Sequence, residues 1–342
     1  MTTKLRPRNR RQPVRDNRRS FEPAAATLRP TDVNAGPVIA PFRGTRTEWI
    51  SRIFPRADAR LYQMFCQGLI LCYGLKFLDF RLYAHHIPVI LGACLATQFA
   101  AVQLLRRLHA NEATVPLPAF DWRSPTVTGM SLILLLRTNE LWLSALAAVI
   151  AISGKFLIRV NGKHIFNPSL FGIIAMLILF PGGAWVSPAQ WGREGLFLFF
   201  ITCAGGCVLF RALRSDITLA FLATYALLIV GRTLWLGDPW PIARNQLASG
   251  GLLIFAFFMI SDPRSTPDAR AGRILFSALT ALIAFYIQFG LFRTNGPLWA
   301  LFLCAFSVPL IDRFLFQAKR FEWNQTSRRG PEHTPAITGA GK

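Results

Sequence analysis

The sequence predicts an all-α polytopic membrane protein of about ten segments, arranged as two inverted five-segment repeats with broken helices. Three observations carry this. Apolar runs recur between short charged loops in a chain that is 52% hydrophobic over 342 residues. Two of those runs, Thr126–Leu136 and Leu247–Ile260, are too short to cross a hydrocarbon core of about 30 Å, which takes roughly 20 residues of helix. Both short runs occupy matching places in the two halves, each followed by a polar break, a full span and an Asn-Gly pair.

Residues 1–60 form a basic, Pro/Arg-rich tail with 14 Lys or Arg against 5 Asp or Glu. It lacks periodicity and is expected to be largely disordered, with Trp49 to Phe54 as a short interfacial segment. No apolar core with a small-residue cleavage site occurs there, so no cleavable signal peptide is expected. The formal charge of +21 suits the anionic cytoplasmic leaflet of a lipid bilayer. Nucleic acid is not the expected partner, because no basic helix or stacking platform accompanies the charge.

The transmembrane domain is expected over 61–316. Its first repeat, about 61–181, comprises Leu61–Leu78, Ala84–Leu105, the short Thr126–Leu136, Leu141–Ile158, and a fifth span opening on Asn167-Pro168. Proline suits a first helical turn and asparagine suits a cap. Trp185 and Trp191 then mark an interfacial loop. The second repeat, about 195–316, comprises Gly195–Phe210, Ile217–Val230, the short run opening on Ser249-Gly250 and stopping at Asp262-Pro263, Ile274–Leu291, and Leu298–Phe316 after Asn295-Gly296-Pro297. Residues 317–342 are a second tail. Five segments per half make the repeat inverted. With both termini cytoplasmic, ten loop cations fall inside and six outside (Arg81, Arg137, Arg193, Arg232, Arg244 and Arg293), as the positive-inside rule requires.

Few residues point to catalysis, and none is assigned a catalytic or metal-ligating role. His85 and His86 are adjacent, about 100° apart on a helix, and cannot share one metal or haem; hydrogen-bonded interfacial histidines are the plainer reading. Cys203 and Cys207 share a helix face, but an iron–sulfur centre usually takes four thiolates, and small buried packing residues fit better. Asp262 ends a broken helix and either holds a cation or caps the next turn. Lys155 and Arg159 either bind phosphate or anchor the fourth span at the interface. Gln98, Gln103 and Gln288 are expected to bridge helices. No Walker A, dinucleotide or zinc-protease motif is present.

Gly154-Lys155, Phe166-Asn167-Pro168-Ser169, Asp262-Pro263 with Ser265 and Thr266, and Gly272-Arg273 occur in that order between Thr126 and Asp312. At these residues the chain resembles the NqrB/RnfD family, the membrane subunits of the sodium-translocating NADH:quinone oxidoreductase and of the Rnf electron-transport complex. The resemblance implies an inverted-repeat subunit of a bacterial cytoplasmic membrane that works with membrane or cytosolic redox partner subunits and carries flavin. Members attach FMN to threonine in a Ser-Gly-Ala-Thr motif between spans five and six. Here no threonine occurs from Asn139 to Ile201. A divergent branch without covalent FMN is therefore expected, with flavin (FMN or riboflavin) bound non-covalently if at all.

The expected function is that of an integral membrane subunit of an electron-transfer or ion-translocating assembly. A stand-alone channel or transporter, and a scaffold whose basic tail docks cytosolic partners, remain open alternatives. The expected central site is formed by the broken helices around Thr128-Gly129 and Ser249-Gly250. Lys155, Asn161, Gly162, Asn167, Pro168, Asp262 and Asn295 complete the candidates.

Overall fold

In a computed structural model the described residues are 58–77, 80, 82–108, 119–160, 162–187, 202, 205–206 and 215–315, all within one compact unit, Phe54–Lys342. The helices in chain order are α1 (Ala59–Phe77), α2 (His86–Leu108), α3 (Arg123–Leu135), α4 (Leu141–Leu157), α5 (Pro168–Leu179), α6 (Ser215–Leu236), α7 (Trp240–Leu247), α8 (Gly250–Ile254), α9 (Arg270–Phe285), α10 (Gly296–Ala305) and α11 (Val308–Leu310). Wide π-helical turns extend three of them: Phe255–Met259 after α8, Tyr286–Gly290 after α9 and Ile311–Leu315 after α11.

Every expected segment except the sixth coincides with a helix; the sixth, with Cys203 and Cys207, lies outside the described residues, as do tail residues 1–57 and Trp191. Three helices are long and apolar enough to cross a membrane: His86–Leu108, Ser215–Leu236 and Arg270–Gly290. The count reaches five if each bent pair is one span. Those pairs are α7 with α8 and its wide turn, at 41°, and α10 with α11, at 43°.

Several expectations are corrected. Arg60, placed in the tail, stands in the first turn of α1 and pairs with Asp58 and Asp121. A helix, α7, occupies what reads as loop, because Pro239 and Pro241 fit its first turn even though its body is polar. The fold is not purely helical either. Strand β1 (Leu136–Thr138) pairs antiparallel with β4 (Ala184–Val186), and β2 (Arg159–Val160) with β3 (Lys163–His164). The second pair turns at Asn161-Gly162, where Gly162 has φ +73°, the left-handed geometry that makes Asn-Gly a hairpin signal.

Packing follows the same order in both halves. Helix α2 packs on α4 and α4 on α5; α6 packs on α9 and α9 on α10. The short α3 lies among α1, α2, α4 and α5. The α4–α5 approach depends on Gly172, where a Cβ would stand 2.8 Å from the Ala151 Cβ and 2.9 Å from the Ala147 carbonyl oxygen. Across the halves, Phe166 stacks on Phe302 with ring centroids 4.8 Å apart. Lys163 of the first half donates to the Thr266 carbonyl at 2.6 Å and pairs with Asp312 at 3.0 Å and Asp268 at 3.3 Å.

Candidate functional site

The two broken helices end differently. After α3, Arg137 is 9% exposed, and its guanidinium donates to the carbonyls of Ile133 at 2.8 Å and Leu136 at 2.9 Å. It is thus an internal helix cap and not the outer-loop cation that its place in the sequence suggested. A cation satisfying the last carbonyls also complements the negative end of the helix dipole. The Leu135 carbonyl accepts from the Ser187 amide at 2.7 Å, beside the β1–β4 pair.

After α8, the wide turn leaves carbonyls that distant side chains take up. Thr218 of α6 donates to Ala256 at 2.6 Å, Ser261 to Phe257 at 2.5 Å, Gln63 of α1 to Phe258 at 3.5 Å, and Asn167 to Met259 at 3.3 Å. Four consecutive carbonyls at the end of one broken helix therefore recruit α1, α5 and α6 around it. Lone π turns inside helices are often found at functional sites.

Asn167 does two jobs. Its Nδ2 donates to Met259 and its Oδ1 accepts from the amides of Ser169 and Leu170, capping α5. Pro168 occupies the first turn, as the sequence indicates.

The candidate residues do not form one central site but divide between two cavities. Cavity A, about 80 Å³, opens where α3 and α5 begin and the α8 wide turn ends; Thr128, Ser131, Asn167, Pro168, Phe258 and Asp262 are in its wall. Cavity B, about 600 Å³, opens where α8 and α10 begin and α3 ends; Leu135, Ser249, Phe255, Gln288, Arg293 and Asn295 are in its wall. Each cavity thus combines the start of one broken helix with the end of the other. The division follows from the two broken helices running antiparallel, which sends their starts to opposite ends of the unit.

The remaining candidates have plainer roles. Gly129 packs against Leu91, whose Cδ2 a Cβ would meet at 2.9 Å, and Gly250 is buried in the first turn of α8. Gly162 serves its hairpin, and Asn161 lies outside the described residues. Lys155 is neither a surface phosphate ligand nor an interfacial anchor. It is buried, and its ammonium donates to Gln98 Oε1 at 3.0 Å and Ser124 Oγ at 2.8 Å, because the last turn of α4 faces α2 and α3. Asp262 caps its own turn: Oδ1 accepts from the Arg264 amide at 3.1 Å and Oδ2 from the Ser265 hydroxyl at 3.1 Å.

Two histidines are fixed by their acceptors. Thr138 spends its proton on the Glu140 carbonyl at 3.1 Å, so Ser144 donates to Thr138 at 2.7 Å and His86 Nδ1 donates to Ser144 at 2.7 Å. His86 is therefore a hydrogen-bonded structural histidine. On the β2–β3 hairpin, His164 Nδ1 donates to the Phe166 carbonyl at 2.9 Å. Burial lowers this imidazole to about 4, against the opposing pull of the Asp262 carboxylate.

Sequence reasoning missed Gln63, Ser131, Thr218 and Arg137. Each is polar within or beside an apolar run, which was the available signal. The expected bridging by Gln98 and Gln288 is present; Gln288 Oε1 accepts from the Tyr225 hydroxyl at 3.0 Å.

Residues 189–321 match the NQR2, RnfD, RnfE family. The matched stretch includes Asp262-Pro263, Ser265, Thr266 and Gly272-Arg273, so the resemblance read from those residues holds over the second half of the chain. Gly154-Lys155 and Phe166–Ser169 lie outside it. The chain is 36% identical over 137 residues to RnfD of Escherichia coli (strain ATCC 8739), a subunit of the ion-translocating oxidoreductase complex, covering 39% of this chain and 35% of that protein. RnfD of Shigella boydii serotype 18 gives the same values, and that of Escherichia coli O9:H4 is 34% identical over 137 residues. The match spans about a third of the length of these curated relatives (35%). It places the chain among relatives of a family whose named members are subunits of ion-translocating oxidoreductase complexes.

Proposed function

We propose that this chain is an integral membrane subunit of an ion-translocating oxidoreductase assembly, and that it conducts the ion between cavities A and B. The observation that carries this reading is the thinness of the wall between them. Ser131 faces A and Leu135, four residues on, faces B; Phe258 faces A and Phe255, three residues back, faces B. At about 1.5 Å per residue, roughly 5 Å of helix separates the two on each broken helix. Leu132, Leu135, Phe255 and Phe258 fill that wall and are at most 3% exposed. An apolar constriction one turn thick, between two polar vestibules, gates by excluding water.

The packing order shared by the two halves supports an inverted repeat. The placement of loop cations supports an inner-membrane location with both termini cytoplasmic. The assembly supplies the electron-carrying partners. At about 80 Å³, cavity A is below the roughly 300 Å³ at which small-molecule sites begin, so Thr128, Asn167, Pro168 and Asp262 do not fit a flavin and no electron step is derived through them.

The test is ion flux in proteoliposomes that contain the chain alone, loaded with a sodium- or proton-sensitive dye. Wild type should be tight, and Phe258→Ala with Leu135→Ala should leak at least one of the two ions. If the double variant stays tight while its detergent melting profile remains cooperative, the wall is not the constriction and the conduction reading fails. Fast flux through the wild-type chain alone would favour a stand-alone channel.

A further inference from the structure

We propose that cavity B and the groove beside it form one binding site for an anionic phospholipid, with the headgroup in the cavity and an acyl chain in the groove. The groove, about 450 Å³, lies between α5, α9 and α10; Leu177, Ile287, Leu291, Trp299 and Leu303 supply its apolar wall. Arg293, Thr294 and Asn295 belong to the walls of both spaces. The α9 wide turn also serves both, with Ile287 facing the groove and Gln288, the next residue, facing cavity B. A polar chamber and an apolar trough that share one strap fit a single amphiphile lying across it.

Charge selects the headgroup. Neither space has a carboxylate in its wall, and each has Arg293. The Arg293 guanidinium makes no ion pair among the described residues, whereas the neighbouring Arg232 is held by Asp238 at 2.7 Å. A phosphodiester supplies the missing anion, and a guanidinium recognises it by charge-assisted hydrogen bonds. The side chains of Gln246 and Ser249 and the Asn245 amide line the same chamber, as polar partners for a glycerol headgroup.

The strap itself is held in an unusual form. Phe292 has φ +50° and Asn295 φ +62°, the only non-glycine residues in the left-handed region among those described. Asparagine tolerates that region, but a bulky residue such as phenylalanine rarely does. Phe292 is 85% exposed and stands in the cavity B wall. Such geometry persists only where its surroundings enforce it, and it clusters at ligand clamps. The proposal needs a bilayer around the chain but not the conduction path.

The test uses the detergent-purified full chain and its thermal unfolding as lipid is titrated. Dioleoyl phosphatidylglycerol should raise the midpoint saturably, while dioleoyl phosphatidylcholine should raise it less. Arg293→Gln should weaken the phosphatidylglycerol effect roughly tenfold, the size expected for loss of a charge-assisted hydrogen bond. Phosphatidylglycerol brominated on its acyl chains should quench part of the tryptophan fluorescence, and Trp299→Phe should remove that part. Equal protection by both lipids, or an unchanged titration in Arg293→Gln, overturns the headgroup assignment. Protection by glycerol phosphate alone, or quenching that survives Trp299→Phe, overturns the groove. Saturable protection by riboflavin or a short-chain quinone, with none from phosphatidylglycerol, assigns the cavity to a redox ligand and overturns the proposal.

Discussion

The side-chain amide of Asn167 reaches the Met259 carbonyl at 3.3 Å across 92 positions of sequence, while its own oxygen caps α5. One residue therefore fixes where a helix of the first half begins and where a broken helix of the second half stops. Asn167→Ala should lose both, at about 1 kcal/mol for the cap and 1–3 kcal/mol for the buried carbonyl left unpaired. Asn167→Asp keeps the capping oxygens but cannot donate to Met259, and it adds a charge that is 7% exposed in the native residue. Both variants should unfold at lower temperature in detergent. Equal melting of Asn167→Ala and wild type would mean that the contact contributes nothing.

Thr218 gives a cleaner version of the same test. It is fully buried and its hydroxyl donates to Ala256 at 2.6 Å. Thr218→Val keeps the shape of the side chain and removes the donor. The expected cost is about 1–3 kcal/mol, the desolvation penalty of one orphaned buried acceptor. Hydrogen exchange should accelerate over Phe255–Met259 before it changes in α9. Uniform acceleration throughout would place the effect in general packing.

How much of this was legible in the sequence depended on how local the cause was. The Asn167-Pro168 start of α5 and the Asn161-Gly162 hairpin turn are written in adjacent residues, and both stand where the sequence puts them. The shortness of α3 and α8 could be counted along the apolar runs. The split of the central site could not. Thr128 and Ser249 look equivalent in sequence, and that equivalence is what separates them, because an antiparallel pair places its two starts at opposite ends. Arg137 misled for a related reason. An arginine after an apolar run suggests a loop, yet this one turns back to cap the carbonyls of the run it follows.

His164 should make the fold acid-sensitive. Its lowered value, about 4 against an ordinary 6.5, means that the unfolded chain takes up a proton before the folded one does. The stability this contributes is complete above pH 6.5 and is lost as pH falls towards 4. Asp262 opposes the shift, while Lys155 and Arg264 reinforce it. Melting temperatures across that window should fall for wild type and fall less for His164→Gln, whose amide can still donate to the Phe166 carbonyl. Parallel slopes for the two proteins would remove His164 as the source.

Arg137 holds the end of α3 by charge-assisted bonds to the Ile133 and Leu136 carbonyls. Arg137→Met retains an aliphatic stem and removes the donors, leaving two buried carbonyls without their cap. At about 1–3 kcal/mol for each orphaned acceptor, the loss should be larger than for Thr218→Val. The damage should also be local to one cavity. Leu135, which faces cavity B, lies two residues before Arg137, and its carbonyl depends on Ser187 across the β1–β4 pair. Thiol labelling of a cysteine introduced at Ser187 should therefore speed up in Arg137→Met, while labelling at Ser261, in the cavity A wall, should not. Acceleration at both positions would show that the cap supports the whole unit and not the end of α3 alone.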